Sequence, residues 1–471
     1  MTVGAELDAG SFRDPDSRVF YSDGAVLRAL SERGARDWRA LAGSRLFGAA
    51  TAEGRLVATE EVAVGDDLQL LRTTRPAAVL RHERIPFVSY PYEWPPGMLR
   101  DAALLQLDLL LAALDEDLTL KDATPYNVQF RGASPVFVDV GSFEPLRDGE
   151  PWLGYRQFCQ LFLYPLLLAV WTGVPFQPWL RGSLDGIRPS EMRALMSLRD
   201  RFRRGALAHV LLHARLERSY GRRGRTGGDV KKELRSAGFS KEMVRANVRK
   251  MRRLVDGLRW EPPAGVWTDY RADNTYTDAD TAAKDAFVAT VAERLGGGLV
   301  WDLGCNDGRY AEITAPHADL VVAIDGDPAL VELLYRRLRD ARRTDILPLT
   351  LDLVDASPGL GWRGRERRRL EDRGRPDLVL CLALLHHVCI AGNVPVAEYV
   401  AWLAELRAPI VVELVCREDP MVRRLLAAKP EGTHPDYDEA FIERALGEVF
   451  EVERREVLPS GTRVLYHARP R

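Results

Sequence analysis

The first part of the chain alternates short apolar runs with polar stretches and then carries one long helical stretch. The short runs are Arg55–Val64, Ala77–Leu80 and Phe87–Tyr90, and the long stretch is Met98–Leu114. Short apolar runs between polar residues are typical of strands, whereas apolar positions spaced three and four apart predict a helix. This pattern predicts a small sheet followed by helices, which is an α+β arrangement.

The last third of the chain has a different pattern, in which strand-like apolar runs alternate with helical stretches. It follows a predicted helix, Asp278–Leu295, and begins with a strand that starts at Leu299. Two strand-like runs, Val449–Glu456 and Ser460–His467, close it. Strands that alternate with helices predict a mostly parallel sheet covered by helices, which is an α/β fold.

Length and composition indicate more than one domain. The chain has 471 residues, which exceeds what a single hydrophobic core usually supports. Residues Arg201–Arg259 are basic and helical in pattern, and the glycines and charges of Ser219–Asp229 indicate an exposed loop within them. We therefore predict a first domain over residues 1–215, a basic helical linker region over residues 216–265 and a second domain over residues 266–471.

Charge and cysteine content exclude several classes of protein. The chain has 66 Lys and Arg against 68 Asp and Glu, so no global basic field attracts nucleic acid or anionic lipid. The 5 cysteines are scattered and never spaced as CxxC, which disfavours disulfides and structural zinc and fits a reducing cytoplasm. The amino terminus does not resemble a signal peptide, and the apolar run Phe158–Trp171 is too short to span a bilayer. We expect a cytoplasmic protein with no membrane segment.

A tight turn in the last third of the chain is a candidate binding site. The strand that starts at Leu299 ends beyond Asp302, and the turn after it contains Gly304 and Gly308. Because glycine has no Cβ and tolerates positive φ, such a turn lets the backbone come close to a ligand. Alone, the turn also fits packing or phosphate binding in other α/β folds.

A second acidic strand end narrows the choice of ligand. Leu320–Asp327 is an apolar run that ends in acids, and Asp325 at its tip can accept hydrogen bonds from both ribose hydroxyls of a nucleoside. Asp327 could instead cap the following helix. A dinucleotide-binding domain would carry G-x-G-x-x-G, whereas this chain has D-L-G-C-N-D-G, with the acid before the first glycine.

This order of residues resembles class I S-adenosylmethionine-dependent methyltransferases, whose usual pattern is D-x-G-x-G-x-G followed by the same acidic second strand. Asn306 departs from that pattern at the middle glycine. Leu349–Leu353 and Asp377–His387 are similar to the third and fourth strands of the family, and Asp352 would meet the adenine amino group. The resemblance implies a Rossmann-like domain with S-adenosyl-L-methionine as cofactor. The implied cofactor-binding residues are Asp302, Gly304, Cys305, Asn306, Gly308, Asp325, Gly326, Asp352 and Leu353.

The end of the fourth strand supplies candidates for catalysis. In the family this strand end faces the methyl donor and the acceptor, so His386 and His387 lie where a general base is useful. The alternative is that they pack under the cofactor or cap a helix. Glu413 is another polar group at the sheet edge where open α/β sheets bind ligands. The charged insertion Val354–Pro376 fits either a solvated helix face or a lid over an anionic acceptor.

The first half carries a second resemblance, to the catalytic core of protein and aminoglycoside kinases. Leu120–Phe130 and Pro135–Gly141 contain an Asp, four residues, an Asn, and then a strand that ends in Asp-x-Gly. The resemblance implies that Asp122 orients an acceptor hydroxyl and that Asn127 and Asp139 hold Mg²⁺ on the phosphates of ATP.

The match fails in residues 1–120, which would correspond to the small lobe of a kinase. Residues 1–120 contain no lysine to pair with phosphates, and Arg55, Arg72 or Arg81 could stand in for it. Three interpretations stay open: a phosphotransferase, a kinase-like binding domain without catalysis, or an unrelated α+β domain. In the last case Asp122 and Asp139 are turn and capping residues.

Four stretches occur together along the chain: SYPYEW, LKDATPYNVQF, LALLHH and DPMVRRLL. In this combination the chain resembles, across most of its length, a bacterial, nodulation-protein-like group of class I methyltransferases. The implied function is methyl transfer to an unidentified small molecule or biosynthetic intermediate, which the kinase-like domain binds or positions. A bifunctional ATP-dependent kinase and methyltransferase is one alternative. An RNA-modifying methyltransferase is the other, motivated by basic helices such as Lys241–Arg253. Basic helices are more often solvated faces, so we do not expect a nucleic-acid partner.

Overall fold

The structure is a computed structural model, and it describes residues 6–63, 76–203, 205–215, 240–262 and 276–471. The chain forms two compact units. The first comprises Met1–Phe130, Pro135–Glu261 and Gly359–Arg367, and the second comprises Arg131–Ser134, Pro262–Pro358 and Arg368–Arg471. The predicted loop Ser219–Asp229, most of the predicted linker and Arg72 lie outside the described residues.

The first unit begins with a five-stranded antiparallel sheet in the order β1-β2-β3-β5-β4. The strands are β1 (Glu6–Leu7), β2 (Ser17–Ser22), β3 (Ala25–Leu30), β4 (Thr59–Val62) and β5 (Ala78–His82). Two helices, α1 (Glu32–Ala42) and α2 (Arg45–Ala52), join β3 to β4. The predicted small sheet is present, and these two helices are an addition to the prediction.

Local sequence explains helix α1. The side chain of Ser31 accepts the backbone N–H of Gly34 at 3.1 Å, which caps the first turn. Ala35, Trp38 and Leu41 recur every three residues and are buried. The helix therefore places its apolar side in the core of the first unit.

A long helix, α3 (Pro96–Asp115), lies at the centre of the rest of the first unit. Proline at its first position suits a helix start, because the missing N–H would be unpaired there anyway. Most of its residues are buried, as the prediction of a helix over Met98–Leu114 requires. The strands that follow are β6 (Leu118–Leu120), β7 (Val128–Arg131), β8 (Ser134–Phe137) and β9 (Phe143–Pro145). β6 pairs with β9, and β7 pairs with β8.

The first unit continues with short helical segments. They are α4 (Tyr155–Phe158), α5 (Tyr164–Leu167), α6 (Gln177–Gly182), α7 (Pro189–Leu195), α8 (Lys241–Asp256) and the π-helical turns Cys159–Leu163, Leu168–Thr172 and Ala206–Leu211. The apolar run Phe158–Trp171 forms a largely buried helical stretch among them. Over the described ranges, no helix combines the length and the apolar character needed to cross a membrane.

The basic helix α8 packs against α3. Val248 and Met251 lie among its buried apolar residues. Three of its basic residues pair with carboxylates at or just beyond α3, in the pairs Lys241–Asp117, Arg245–Asp115 and Arg252–Asp108. This part of the basic sequence therefore serves helix packing within the first unit.

The second unit is built on a seven-stranded sheet in the order β12-β11-β10-β13-β14-β16-β15. The strands are β10 (Leu299–Leu303), β11 (Leu320–Asp325), β12 (Ile346–Thr350), β13 (Leu378–Cys381), β14 (Ile410–Val415), β15 (Phe450–Val457) and β16 (Arg463–Pro470). The first five strands are parallel, and β16 is antiparallel to both of its neighbours. This is the Rossmann-like strand order of class I methyltransferases, with the predicted antiparallel pair at the end.

Helices flank this sheet. They are α9 (Asp278–Ala292), α10 (Arg309–Thr314), α11 (Pro328–Asp340), α12 (Val396–Glu405), α13 (Pro420–Ala427) and α14 (Glu439–Val449). Every residue of β13 and β14 is buried, as expected for central strands that are covered on both faces. The parallel strands end at one edge of the sheet, so the loops after β10, β11, β12 and β13 meet there.

The charged insertion between β12 and β13 is irregular. Over the fully described stretch Val354–Pro376 the backbone forms short 3₁₀ turns and no α-helix. The predicted helix face was therefore wrong, because the run WRGRERRRLEDRGR has no apolar stripe that a helix could bury. Gly359–Arg367 within it belongs to the first unit, where Glu366 pairs with Arg13 at 2.6 Å.

We expect Asp280→Ala to destabilise the protein by about 2–4 kcal/mol, because this buried carboxylate accepts two bonds from Thr277 and one from the N–H of Ser460. Asp278→Ala is the matched control, since Asp278 is exposed in the same helical turn and its loss should change stability by about 0.5 kcal/mol or less. Guanidinium denaturation followed by tryptophan fluorescence measures both variants. Equal stability of the two would show that the carboxylate of Asp280 does not fix this end of α9.

Candidate functional site

The turn after β10 is held in a left-handed backbone conformation at three positions. The φ angles are +74° at Gly304, +53° at Asn306 and +83° at Gly308. A Cβ on Gly304 would lie 3.1 Å from the side chain of Leu384, and one on Gly308 would lie 2.7 Å from that of Leu334. Both positions therefore require glycine.

Asn306 explains how the turn tolerates a departure from the methyltransferase pattern. Asparagine is one of the few residues other than glycine that enters the left-handed region readily. Its Oδ1 accepts the N–H of Asp307 at 2.6 Å, which supports the conformation locally. The turn keeps its shape although the middle glycine is missing.

Asp325 ends strand β11 and closes onto this turn. Its Oδ2 accepts the backbone N–H of Asn306 at 2.9 Å, and its Oδ1 accepts that of Asp327 at 2.9 Å. Burial raises the pKa of Asp325, and these backbone bonds oppose that effect. Asp327 accepts the N–H of Ala329 at 2.7 Å and caps α11, which is the second role foreseen for it.

Asp352 follows β12, the strand next to β11. It is exposed, and its Oδ1 accepts the N–H of Val354 at 2.9 Å at the start of a short 3₁₀ turn. A Cβ on Gly326 would have the Cα of Asp352 as its nearest neighbour, at 3.9 Å. Gly326 and Asp352 are therefore adjacent, with Leu353 half-buried beside them.

Asp302 lies inside β10 and is buried, with a relative exposure of 1%. Its Oδ2 has no hydrogen-bond partner among the residues that the structure describes. Burial raises its pKa to about 7, although the nearby ammonium of Lys284 favours the charged form. Cys305 is also buried, and burial raises the pKa of its thiol, so it stays protonated. A buried carboxyl oxygen without a hydrogen bond is uncommon in a folded protein, and Oδ2 of Asp302 can still accept one.

The two histidines after β13 differ in environment. His386 is 2% exposed, burial lowers its pKa well below the usual value, and its Nδ1 has no partner within the described part of the chain. His387 is exposed, and the two ring centroids are 4.2 Å apart. Ala383, just before them, has φ +52°, a conformation that strains a residue with a Cβ. His386 is thus a neutral imidazole beside the strand end.

The predicted kinase-like residues of the first unit form one polar network. The Nη1 of Arg28 contacts Asp139 Oδ1 at 2.6 Å, and the hydroxyl of Ser142 donates to Asp139 Oδ2 at 2.6 Å. Asn127 Nδ2 donates to Ser142 Oγ at 3.0 Å. Burial and the charge of Asp139 raise the pKa of Asp122.

The arginine in this network was not among the predicted substitutes for the kinase lysine. Arg55 instead pairs with Glu53 at 2.6 Å, and Arg81 pairs with Glu60 at 3.4 Å. Within the described ranges, no group of three or more His, Cys, Asp or Glu side chains could hold a metal ion.

Comparison with known proteins shows the family to which the chain belongs. No protein-family model matches it. It is 35% identical over 460 residues to Nodulation protein NoeA of Rhizobium meliloti (strain 1021), covering 97% of this chain and 95% of the relative. The chain belongs to the NoeA family.

Several solved structures are similar to part of this NoeA-family chain. Magnesium protoporphyrin IX methyltransferase (ChlM) from Synechocystis PCC 6803, bound to S-adenosylhomocysteine, is 19% identical and matches 44% of this chain and 93% of its own, with a TM-score of 0.31. N-methyltransferase NodS from Bradyrhizobium japonicum WM9, in complex with the same molecule, is 14% identical and matches 43% and 91%, with a TM-score of 0.31.

A buried cluster of charged side chains lies next to the strand ends. Of its members, the sequence analysis named only Glu413. Lys284 of α9 contacts Glu413 Oε2 at 2.6 Å, and Arg463 Nη1 contacts Glu413 Oε1 at 3.0 Å. Arg463 Nε also contacts Asp419 at 3.0 Å, and the hydroxyl of Tyr276 donates to Glu413 at 2.6 Å. The signal for Lys284 was a lone lysine on the apolar side of a predicted helix.

The cluster is balanced in charge. Burial disfavours ionisation of Glu413, yet Lys284 and Arg463 outweigh it and lower its pKa. Burial lowers the pKa of Lys284, and Glu413 opposes that effect. The position of Glu413 in the sequence suggested a group at the ligand-binding edge of the sheet. In the structure Glu413 is instead buried as a partner for internal cations.

We expect Lys284→Met to destabilise the protein by about 3–5 kcal/mol, because Glu413 would lose the cation that compensates its burial. Adding Glu413→Gln should recover part of the loss. Lys429→Met is the control, since Lys429 is half-buried and bonds only to the side chain of Asn393 and the carbonyl of Ala391, with no carboxylate to leave unpaired. Thermal unfolding followed by circular dichroism compares the variants, and a stable single variant would mean that the pair does not hold the cluster together.

Proposed function

We propose that this NoeA-family chain transfers a methyl group from S-adenosylmethionine to a small-molecule acceptor. The observation that carries the proposal is the Gly304–Gly308 turn folded onto Asp325. A tight turn beside an acidic strand end offers a nucleoside both a close backbone and a carboxylate. The strand order of the second unit supports the same reaction class.

The residues at this edge fit the cofactor. Each oxygen of Asp325 accepts one backbone bond and keeps a lone pair for a ribose hydroxyl. A Cβ on Gly326 would meet no atom nearer than 3.9 Å, so the space beside Asp325 is open. The unused oxygen of Asp302 suits the ammonium of the amino-acid part of the cofactor. Asp352 would receive the adenine amino group, as the resemblance implies.

When bound, the cofactor supplies a methyl group on a positively charged sulfur. The chain then has to align the acceptor atom and remove its proton where it carries one. We propose that Nδ1 of His386 accepts that proton, because this imidazole is neutral and Nδ1 has no hydrogen-bond partner among the described residues. His387 is the alternative base from the same strand end, with its ring in contact with that of His386.

We propose that the first unit binds or positions the acceptor. The network of Arg28, Asn127 and Asp139 supports this role, because it holds polar side chains in fixed positions. Modification of RNA is the less favoured alternative, since basic residues of α8 pair with carboxylates in the same unit.

Titration calorimetry with S-adenosylhomocysteine tests the cofactor site. We expect Asp325→Asn to weaken binding by about 10-fold or more, because hydrogen bonds from the ribose to a charged acceptor are lost. Asp327→Asn is the matched control at the same strand end and should change the affinity by less than about 3-fold, since Asp327 caps α11. Unchanged affinity in Asp325→Asn would remove the main support for the proposal.

The pH dependence of the same binding tests the role of Asp302. Its pKa is about 7 before the ligand binds, and an ammonium at its free oxygen favours the charged form. Binding therefore releases a proton below pH 7, so affinity should fall as the pH drops from 8 to 6, by up to about 10-fold per pH unit below the pKa. Asp302→Asn should give weaker binding with a flat profile over this range. A sloping profile in that variant would assign the titration to another group.

A further inference from the structure

The kinase resemblance implies a divalent cation at Asn127 and Asp139, and the contacts of these residues test whether one fits. Mg²⁺ takes oxygen ligands at about 2.1 Å in a nearly octahedral arrangement. In kinase chemistry it bridges the phosphates to the Asp of Asp-x-Gly and to the Asn. The carboxylate of Asp139 would therefore have to be open to a cation.

Asp139 already has a cation. The guanidinium of Arg28 contacts Oδ1 at 2.6 Å, while Oδ2 accepts the hydroxyl of Ser142 at 2.6 Å. Asn127 directs its amide N–H groups at Ser142. A divalent ion at this carboxylate would lie a few ångströms from a permanent positive charge, and the repulsion would oppose its binding.

Arg28 is fixed in this position by further bonds. Its side chain is only 11% exposed, Nη1 also donates to Ser17 Oγ at 3.0 Å, and Nε donates to His82 Nε2 at 3.2 Å. The other ring nitrogen of His82 bonds to Thr59 Oγ1 at 2.9 Å, which orients the ring. Because β2 and β5 each supply a partner to Arg28, the arginine on β3 cannot turn away from Asp139 without losing these bonds.

The segment between the small sheet and α3 is also internally bonded. Gln129 accepts the N–H of Ser89 at 2.9 Å and donates to its carbonyl at 3.1 Å. The N–H of Tyr90 donates to Glu93 at 3.0 Å, and all four residues are buried. The kinase resemblance implies that Ser89–Trp94 is the hinge between the two lobes, and a nucleotide base bound there would have to compete with these bonds.

We propose that Arg28 takes the place of the divalent cation at Asp139, so that the first unit is a metal-free, kinase-like binding domain and not a phosphotransferase. Phosphoryl transfer relies on metal ions that bridge the phosphates and neutralise their charge. A guanidinium bonded to Asp139 neutralises the carboxylate, and a divalent ion on the remaining lone pairs would lie next to the positive charge of Arg28. This inference concerns the first unit alone and stands independently of methyl transfer.

Manganese binding to the full chain tests the inference, measured by electron paramagnetic resonance with and without ATP. We expect no Mn²⁺ or Mn²⁺–ATP site that depends on Asp139 in the wild type up to about 1 mM metal. Arg28→Gln should gain one such site, at least about 10-fold tighter than any in the wild type, since Asp139 is left without its cation. Asp139→Asn added to Arg28→Gln should abolish the site.

Arg81→Gln is the matched control, because it removes an exposed arginine from the neighbouring strand β5 and should create no site. Titration with S-adenosylhomocysteine checks the second unit in each variant, so a failure of the methyltransferase proposal is distinguishable. The inference would be overturned if the wild type binds Mn²⁺–ATP and Asp139→Asn abolishes that binding. This comparison does not depend on whether the Arg28 variant folds. A folded Arg28→Gln protein that gains no site would overturn it as well.

Discussion

The backbone N–H of Asn306 donates to the carboxylate of Asp325, and the geometry of the candidate cofactor site depends on this bond. It ties the turn after β10 to the end of β11, two strands that lie side by side in the sheet. The left-handed backbone positions of the turn are entropically unfavourable to fix. The carboxylate of Asp325 stabilises the turn, because strand β11 already holds this carboxylate in place when it accepts the N–H of Asn306. The position of the glycines and the position of the acid are therefore one feature, which is why they occur together in the sequence.

A second constraint is the charge buried behind that edge. Lys284, Glu413 and Arg463 are each almost fully buried, and none of them could stay charged there without the others. Lys284 comes from α9, Glu413 from β14 and Arg463 from β16. The cluster therefore holds α9 against the two neighbouring strands β14 and β16. Such a cluster gives little net stability compared with apolar packing, but it specifies one arrangement of these elements.

Sequence reasoning selects candidate residues whose signal is local. Strands that carry an acid at or near their carboxyl end, and glycines just beyond them, mark the edge of a parallel sheet without any knowledge of contacts. Asp302, Gly304 and Asp325 were selected in this way, and their role in binding the cofactor stays a prediction. Arg28 could not be found so, because its partner Asp139 lies 111 residues away. Lys284 was also missed, since a lysine in a helix is usually solvated and only packing reveals its carboxylate. For the charged insertion, a solvated helix face was one of two interpretations, and it was wrong because the run lacks the apolar stripe that would hold a helix against the protein.

The two units differ in how their buried carboxylates are compensated, and that difference argues for different roles. Glu413 and Asp139 have internal cations, so a ligand would have to displace an existing ion pair to reach them. Asp302 is as deeply buried as Glu413, yet within the described part of the chain it forms no ion pair and its Oδ2 accepts no hydrogen bond. A folded chain keeps such an oxygen at a substantial energetic cost unless a ligand compensates it. Under the proposed function, a cationic ligand group would compensate Asp302 in the second unit, whereas the carboxylate of Asp139 in the first unit already has its cation.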